Sequence, residues 1–329
     1  MIDPSAVLRA LMRIAPEYCS REQLATELNV SPAIIVDTIQ SLQASGYHIE
    51  ERHDRSYRYV ANNQLSAPVI ESGLTTAIPF ELRILPTVDS TNAYLKRQVM
   101  QSPLTKPLVV VADTQTAGYG RSGRAFYSPE QTGIYLSIGL PIADQQSFDA
   151  GLLTTSTAVV VAETLQQLFA VPVALKWVND VLVNQHKVVG ILAEGVTAPE
   201  TSQLTAVVIG IGINLTTKAF PADLASKAGA VVTKQVAVTR NQVIQELLRR
   251  FFERYPTYRT GDFMPVYRQL SMVIGQQVAL KAGDQTYRGQ VVDIDQTGAL
   301  VVRLANGSLQ RFTSGEITKV NLATGAYRG

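Results

Sequence analysis

The apolar pattern of this 329-residue chain changes period twice, and each change confines a stretch to a different kind of core. Residues 5–15 place Val7, Leu8, Leu11, Met12 and Ile14 at helical spacing. A second helical pattern opens at Ser20, with Gln23 as partner in a capping box, and runs through Leu24, Ala25 and Leu28. Ser31 and Pro32 open a third, with Ile34, Ile35, Ile39 and Leu42 on its apolar face and Gly46 at its end. Two strand-like runs follow, Tyr47–Glu51 and Ser56–Val60, joined by His53-Asp54-Arg55. From about 80 to 270, strand patterns (Leu82–Leu85, Leu108–Ala112, Ile134–Leu140, Val173–Val178, Val188–Glu194, Leu204–Leu215) mix with helical ones (Thr91–Met100, Leu152–Phe169, Asn241–Tyr255). Thr239 and Gln242 form a capping box for the last of these helices. Several strands follow one another with no helix between, so a mixed or antiparallel α+β sheet is expected rather than a doubly wound one. From about Met272 short alternating runs take over: Gln277–Lys281, Tyr287–Asp293, Ala299–Leu304, Leu309–Thr313 and Glu316–Val320. With turns at Gly283, Gly298 and Gly307, they predict a small all-β barrel.

Residues 61–79 are poor in charge, contain Pro68, Gly73 and Pro79, and read as a linker with at most one short helix. The expected organisation is a helical module over 1–64, a linker over 65–79, an α/β domain over 80–270 and a β domain over 271–329. Composition excludes other classes. With 46% hydrophobic and 17% charged residues the chain is not a disordered one. A formal charge of +2 is too small to hold nucleic acid by charge alone. Cys19 has no partner cysteine, which favours a reducing compartment, and the scattered His48, His53 and His186 give no metal-ligand spacing, so no protein metal site is expected. Asp3, Pro4, Arg9 and Arg13 do not suit a signal peptide, and no apolar run reaches the ~18 residues of a membrane span. The expectation is a soluble, cytoplasmic, multidomain protein.

Three helices with a tight turn between the second and third, followed by a hairpin, are in the order of a winged helix-turn-helix. Two readings stand. In one, Ser31, Thr38, Gln40 and Gln43 of the third helix face DNA bases while wing arginines such as Arg55 hold the backbone. In the other it is a small helical module that binds protein or nothing, because Ser31–Ser45 contains no Lys or Arg and residues 1–63 carry six arginines against eight acidic side chains.

Four segments of the central block can carry chemistry. Gly118-Tyr119-Gly120-Arg121-Ser122-Gly123 fits G-x-G-x-x-G, but no long helix can start there before Pro129 and Gly133, so a dinucleotide fold is excluded. What remains is a glycine loop whose amides and whose Arg121 and Arg124 can close over an anion, or else an ordinary surface loop. Lys176 sits in an apolar strand run that ends in Asn179-Asp180. By default such a lysine points to solvent; the alternative aims it into a cleft to meet developing negative charge. Gly210 and Gly212 alternate along an apolar strand and mark either close approach or a bulge. Asp89-Ser90-Thr91-Asn92 caps a helix and can turn hydroxyls and amides toward a polar ligand.

Together, and in this order, these segments resemble the biotin–protein ligases, in particular the type that is also the biotin operon repressor. The resembling motifs are Asp89–Asn92, Gln115–Gly123, Lys176–Asp180, Lys187–Leu192 and Gly210–Asn214, and the resemblance spans essentially the whole chain. It implies an N-terminal winged helix-turn-helix, a central catalytic domain similar to class II aminoacyl-tRNA synthetases with a mixed sheet, and a small SH3-like C-terminal barrel. It also implies two reactions: biotin's carboxylate attacks the α-phosphorus of ATP with Mg²⁺ assistance, and the resulting biotinyl-adenylate acylates one lysine of a biotin carboxyl carrier domain. By position, Ser90, Thr91, Asn92 and Gln115 would hold biotin, with Gly118 and Gly210 lining its pocket. Arg121 would hold the phosphate, Lys176 would neutralise the carboxylate and α-phosphoryl group, and Asp180 and Asn179 would orient Lys176 or the incoming lysine. Gly120, Lys187 and Asn214 would lie along the nucleotide, and Ser31, Thr38 and Arg55 would meet DNA. The loop departs from the family in carrying Tyr119 and Ser122 where arginines are common, and Val178 stands where a proline is common. The implied partners are the carrier domain, operator DNA and a second copy in a ligand-linked dimer. The rivals are a ligase whose first domain does not bind DNA, a ligand-responsive transcription factor without catalysis, and a lipoate or other acyl ligase.

Overall fold

The computed structural model describes residues 2–142, 148–198, 203–234, 236–322 and 325–328. They group into two compact units, Met1–Leu74 with Ala237–Gln245, and Thr75–Val236 with Glu246–Gly329.

The first unit starts with α1 (Pro4–Ile14), capped by Asp3, whose carboxylate accepts from the amide of Ser5. The two-residue strand β1 (Cys19–Ser20) leads into α2 (Arg21–Glu27), where the Ser20–Gln23 capping box forms in full. Helix α3 (Pro32–Ala44) has Ser31 at its N-cap, but the hydroxyl makes no capping bond; Pro32 at the first turn has already removed one orphan amide. Strands β2 (Ile49–Glu51) and β3 (Ser56–Tyr59) complete a sheet of order β1-β3-β2. Val7, Leu8, Leu11, Leu24, Ile35, Ile39 and Tyr57 form the core. One short helix, α4 (Ala67–Ser72), lies within the expected linker and buries Val69 and Ile70. Residues 237–245 join this unit through polar bonds that periodicity does not announce. Arg240 is buried, with Nε and Nη2 donating to the Asn63 carbonyl, and Asn241 Nδ2 donates to the Gln64 carbonyl at 2.7 Å.

The second unit is built on a seven-stranded sheet. Its strands are β4 (Glu81–Val88), β5 (Leu108–Gln115), β6 (Ile134–Pro141), β7 (Val173–Lys176), β8 (Asp180–Val183), β9 (His186–Thr197) and β10 (Leu204–Ile213), in the order β4-β5-β6-β10-β9-β8-β7. Only β4 and β5 pair in parallel, so the sheet is mixed. Helix α5 (Thr91–Gln101) buries Leu95 and Val99 against Leu108, Val110 and Val208. The twenty-residue α6 (Ala150–Phe169) packs on β7, β8 and β9. Helices α7 (Arg240–Arg254), which begins among the residues of the first unit, and α8 (Met264–Leu270) follow.

The C-terminal strands are β11 (Gln277–Ala282), β12 (Gln285–Ile294), β13 (Leu300–Leu304), β14 (Leu309–Phe312), β15 (Glu316–Leu322) and β16 (Gly325–Arg328). They form one antiparallel sheet of order β14-β13-β12-β11-β15-β16. This corrects the expectation of a closed barrel: among the described residues the order ends on β14 and β16, which do not pair with each other. The sheet instead joins the rest of its unit through bonds such as that from Trp177 Nε1 to the Gly298 carbonyl, 2.9 Å. Among the described residues no helix is long and apolar enough to cross a membrane.

Candidate functional site

Strand register assembles the site. Lys176 pairs with Asp180, Asp180 with Gly190, Gly190 with Gly212, and Gly212 with Tyr135. Direct cross-strand partners share a sheet face, so one row carries a lysine, an aspartate and two glycines. The next row on that face is Leu192, Gly210, Ser137 and Val110. Where the glycines fall, the face drops to bare backbone. A cavity of 1170 Å³ opens above it, more than the ~300–1,000 Å³ usual for one small molecule.

Each glycine answers to a particular neighbour. The register of β10 runs unbroken from Ala206 to Ile213 against both partners, so Gly210 and Gly212 mark close approach rather than a bulge. A Cβ on Gly210 would meet Asn92 Oδ1 at 2.4 Å, and one on Gly212 would meet the Phe126 ring at 2.5 Å.

The capping residues of α5 and the end of β5 form a polar corner. Gln115 Oε1 accepts from the amide (2.9 Å) and hydroxyl (3.1 Å) of Thr91, while Gln115 Nε2 donates to Ser128 Oγ at 2.8 Å. Ser137 Oγ lies 2.6 Å from Asn92 Oδ1, and Asn92 Nδ2 donates to Glu194 Oε2 at 2.8 Å. Ser90, Thr91 and Asn92 are all buried.

Lys176 is only 4% exposed and lies on the cavity wall. The solvent-facing default is therefore overturned. Burial pushes its ammonium below the ordinary lysine value, Asp180 pulls it back in part, and Lys187 pushes it down again. Lys187 Nζ sits 2.6 Å from Asp180 Oδ1. Asn179 Nδ2 donates to the Ile191 carbonyl at 3.0 Å, which fixes the turn after β7. Asn214 is buried on the same wall, and its Oδ1 has no hydrogen-bond partner among the described residues.

The glycine loop closes the open side. Phe126 N donates to the Gly118 carbonyl and Gly120 N to the Arg124 carbonyl, both at 2.8 Å, so its base is a small hairpin. At its tip Arg121 Nη1 donates to the Gly315 carbonyl (3.0 Å) and lies 3.4 Å from Asn179 Oδ1. Arg124 forms an ion pair with Glu316, whose carboxyl it holds below the usual range. The sequence carried no signal for these contacts to the C-terminal sheet.

The structure thus gathers Ser90, Thr91, Asn92, Gln115, Gly120, Arg121, Lys176, Asn179, Asp180, Lys187, Gly210 and Asn214 around one cavity. Gly118 is not on its wall. It is buried, and a Cβ there would meet Gln115 Nε2 at 2.7 Å and the Phe126 carbonyl at 2.8 Å, so it serves the packing of the loop base. In the first unit Ser31 and Arg55 are exposed, but Thr38 is buried and its hydroxyl donates to the Ile34 carbonyl at 2.7 Å, a back-bond within α3 that uses its one donor, while burial keeps the oxygen from a base. Glu194, Ser137 and Phe126 were missed. A carboxylate and a hydroxyl inside otherwise apolar strand runs were the available signal for the first two.

Residues 84–214 match the biotin/lipoate A/B protein ligase family, and residues 273–320 match the biotin protein ligase C terminal domain. The chain is 30% identical to the bifunctional ligase/repressor BirA of Bacillus subtilis over 310 residues, which is 92% of this chain and 94% of the relative. To the biotin--[acetyl-CoA-carboxylase] ligase of Mycobacterium tuberculosis it is 33% identical over 227 residues, 67% of this chain and 82% of the relative. The biotin protein ligase of Aquifex aeolicus in complex with biotin and ATP superposes with a TM-score of 0.61 at 25% identity, covering 76% of this chain and 99% of that one.

Proposed function

This chain belongs to the biotin protein ligases, and from that premise we propose that it joins biotin to a carrier-protein lysine at the expense of ATP and acts as a biotin-responsive repressor. The observation that carries the reading is a buried lysine and a loop arginine facing one glycine-floored cavity with room for both substrates.

In the first step a biotin carboxylate oxygen attacks the α-phosphorus of ATP, forming biotinyl-5′-adenylate as pyrophosphate leaves. Biotin's ureido end sits in the corner of Ser90, Thr91, Asn92 and Gln115, over Gly210. Lys176 and Arg121 lie where the carboxylate and phosphoryl oxygens gather charge. Such a transfer needs position and positive charge rather than a covalent nucleophile, so side chains already fixed before the substrates arrive lower its barrier. Lys187 and Gly120 take the remaining phosphate oxygens. The unpartnered Asn214 Oδ1 accepts from a ribose hydroxyl or the adenine amino group. In the second step the carrier lysine's amine attacks the acyl carbon, AMP leaves with the bonding pair, and the amine loses a proton. Asp180 and Asn179 orient that amine.

Mg²⁺ asks for oxygen donors, keeps several waters, and is held by one or two carboxylates together with substrate phosphates. Asp180 and Glu316 on the cavity wall are donors of that chemistry, each now paired with a cation, Lys187 or Arg124; with those cations turned to the phosphates the two carboxylates would hold the ion, which would neutralise the departing pyrophosphate. Among the described residues no cluster of three His, Cys, Asp or Glu could hold a metal without substrate.

In this reading residues 1–64 are a winged helix-turn-helix joined by 65–79 to a catalytic domain of class II synthetase type over 80–270, with a C-terminal β domain over 271–329. Ser31 and Arg55 are the DNA contacts retained. A second copy pairs through the catalytic sheet, the adenylate linking occupancy to dimer and operator, and the work is done in the cytoplasm, where ATP is supplied.

The test is biotin-dependent exchange of labelled pyrophosphate into ATP, followed by labelling of a carrier domain and an operator gel shift. Exchange and labelling that require biotin support the ligase. Exchange driven by lipoate instead, or adenylate binding without exchange, refutes it, and a gel shift blind to biotin and ATP refutes the repressor.

A further inference from the structure

Tyr119 enters the sequence only as a departure from the family pattern, yet the structure gives its side chain a definite post. It is the last bridged residue of the loop base, paired with Ala125. Beyond it Arg121–Gly123 is a single tight turn with no buried residue, and Ser122 and Gly123 have φ of 56° and 70°. Such a tip has no apolar packing to order it, so its position depends on the base and on the polar contacts of Arg121 with the Gly315 carbonyl and of Arg124 with Glu316.

The Tyr119 hydroxyl donates to Glu194 Oε2 at 2.8 Å. Glu194 also accepts from Asn92 Nδ2 (2.8 Å) and, at Oε1, from Lys96 Nζ (2.7 Å), and Lys96 Nζ lies 5.4 Å from the centre of the Tyr119 ring. Burial would raise the Glu194 carboxyl, but bonds from Lys96, Asn92 and Tyr119 outweigh it and hold the group ionised. Burial first, and then Glu194 against the opposing pull of Lys96, push the Tyr119 phenol up, so it stays a donor at neutral pH. Lys96 and Asn92 belong to α5 and Glu194 to β9, both packed elements. Tyr119 and Asn92 line the cavity.

We propose that Tyr119 is a positioning residue whose hydroxyl, held by the Glu194–Lys96 pair, anchors the arginine loop and thereby sets how long the cavity retains its mixed acyl-phosphate anhydride. The retention half of this rests on the ligase reading above; the anchoring half does not. The sheet carboxylate that orders Asn92 on the cavity wall also holds the base of the loop.

The test is Tyr119→Phe in the full chain, with two rates measured. One is trypsin cleavage after Arg121 and Arg124 in the ligand-free protein. The other is release of preformed biotinyl-adenylate. Losing a hydrogen bond to a charged acceptor should raise both about tenfold, while thermal stability and pyrophosphate exchange at saturating substrates change little. A merely structural role would move the melting temperature and not the release rate. Glu194→Gln keeps an acceptor without the charge, gives a smaller rise in both rates, and serves if Tyr119→Phe does not fold. Either rate unchanged in a folded variant overturns the proposal. If the wild-type chain forms no adenylate, the ligase reading fails separately and the trypsin rate alone judges the anchor.

Discussion

Gly210→Ala is the sharpest probe of the cavity floor. The added methyl would lie 2.4 Å from Asn92 Oδ1, 2.9 Å from its Cγ and 3.0 Å from its Nδ2. Ordinary carbon contacts begin near 3.5 Å, so the amide must retreat by roughly 1 Å. It has nowhere to go: Asn92 is 4% exposed, Ser137 Oγ sits 2.6 Å from one end and Glu194 accepts from the other at 2.8 Å. Breaking a bond to a charged acceptor costs about 1.5–3 kcal/mol, and overpacking about 1–3 kcal/mol. If about 2 kcal/mol of that falls on the biotin complex, binding weakens roughly thirtyfold. Biotin titration calorimetry and the biotin KM in pyrophosphate exchange read this directly. Gly195→Ala is the control, because its new methyl would meet only Leu204 Cδ1, the end of a flexible side chain. A biotin KM in Gly210→Ala equal to that of wild type and of the control refutes the placement of biotin over this row.

Lys176→Ala should fold and lower adenylate formation by roughly 10²-fold or more, as for loss of a charge contact in the transition state; full exchange activity in a folded variant removes the role. Because burial, opposed in part by Asp180, holds Lys176 below the ordinary 10.5, its charge is present below that depressed value and lost as pH rises through it. The alkaline limb of the exchange profile should thus fall before 10.5 and move lower still in Asp180→Asn, and an unmoved limb contradicts this. Arg121→Gly should speed release of the adenylate and make labelling of bystander lysines promiscuous, read by mass spectrometry of a mixed protein substrate; unchanged release argues against the loop's role. Arg55→Ala should weaken operator binding and lower its salt slope by about one, whereas Thr38→Val should leave both as they are, since that hydroxyl is spent inside α3.

What the sequence made legible depended on the range of the forces involved. Capping boxes at Ser20–Gln23 and Thr239–Gln242 are contacts three residues long, and both form as expected. The alternating apolar runs located the strands, because burial of one face imposes that period on the chain itself. Direction across the sheet was another matter. Whether Lys176 meets solvent or cleft is set by its opposite numbers, Asp180, Gly190 and Gly212, and the last of these is 36 residues away in the chain. Strand β1 spans only two residues and has no period to detect. Thr38 looked like a contact for DNA because a helical wheel shows a face but not what covers it. Closure of the C-terminal strands likewise depends on a pairing between chain-distant edges that short alternating runs do not encode.

The placement of the cavity follows from an exchange between packing and chemistry. A sheet face this apolar would ordinarily be covered by side chains, and neighbouring positions on β5 and β10 do pack against α5 through Val110 and Val208. At Gly190, Gly210 and Gly212 the chain gives up that burial, and the free volume is rimmed by groups already satisfied among themselves: Gln115 with Thr91 and Ser128, Asn92 with Glu194, Lys187 with Asp180. Preorganised dipoles of this kind need not reorient when charge develops, which is where their advantage over water lies. Two buried oxygens of the rim make no hydrogen bond among the described residues: Asp180 Oδ1, which has the Lys187 charge beside it, and Asn214 Oδ1, an acceptor left for a donor to come. An acceptor buried and unbonded costs about 1–3 kcal/mol. Asn214→Leu should therefore keep or raise thermal stability while weakening nucleotide binding, and a variant that loses stability but binds ATP as well as wild type would assign Asn214 to the fold instead.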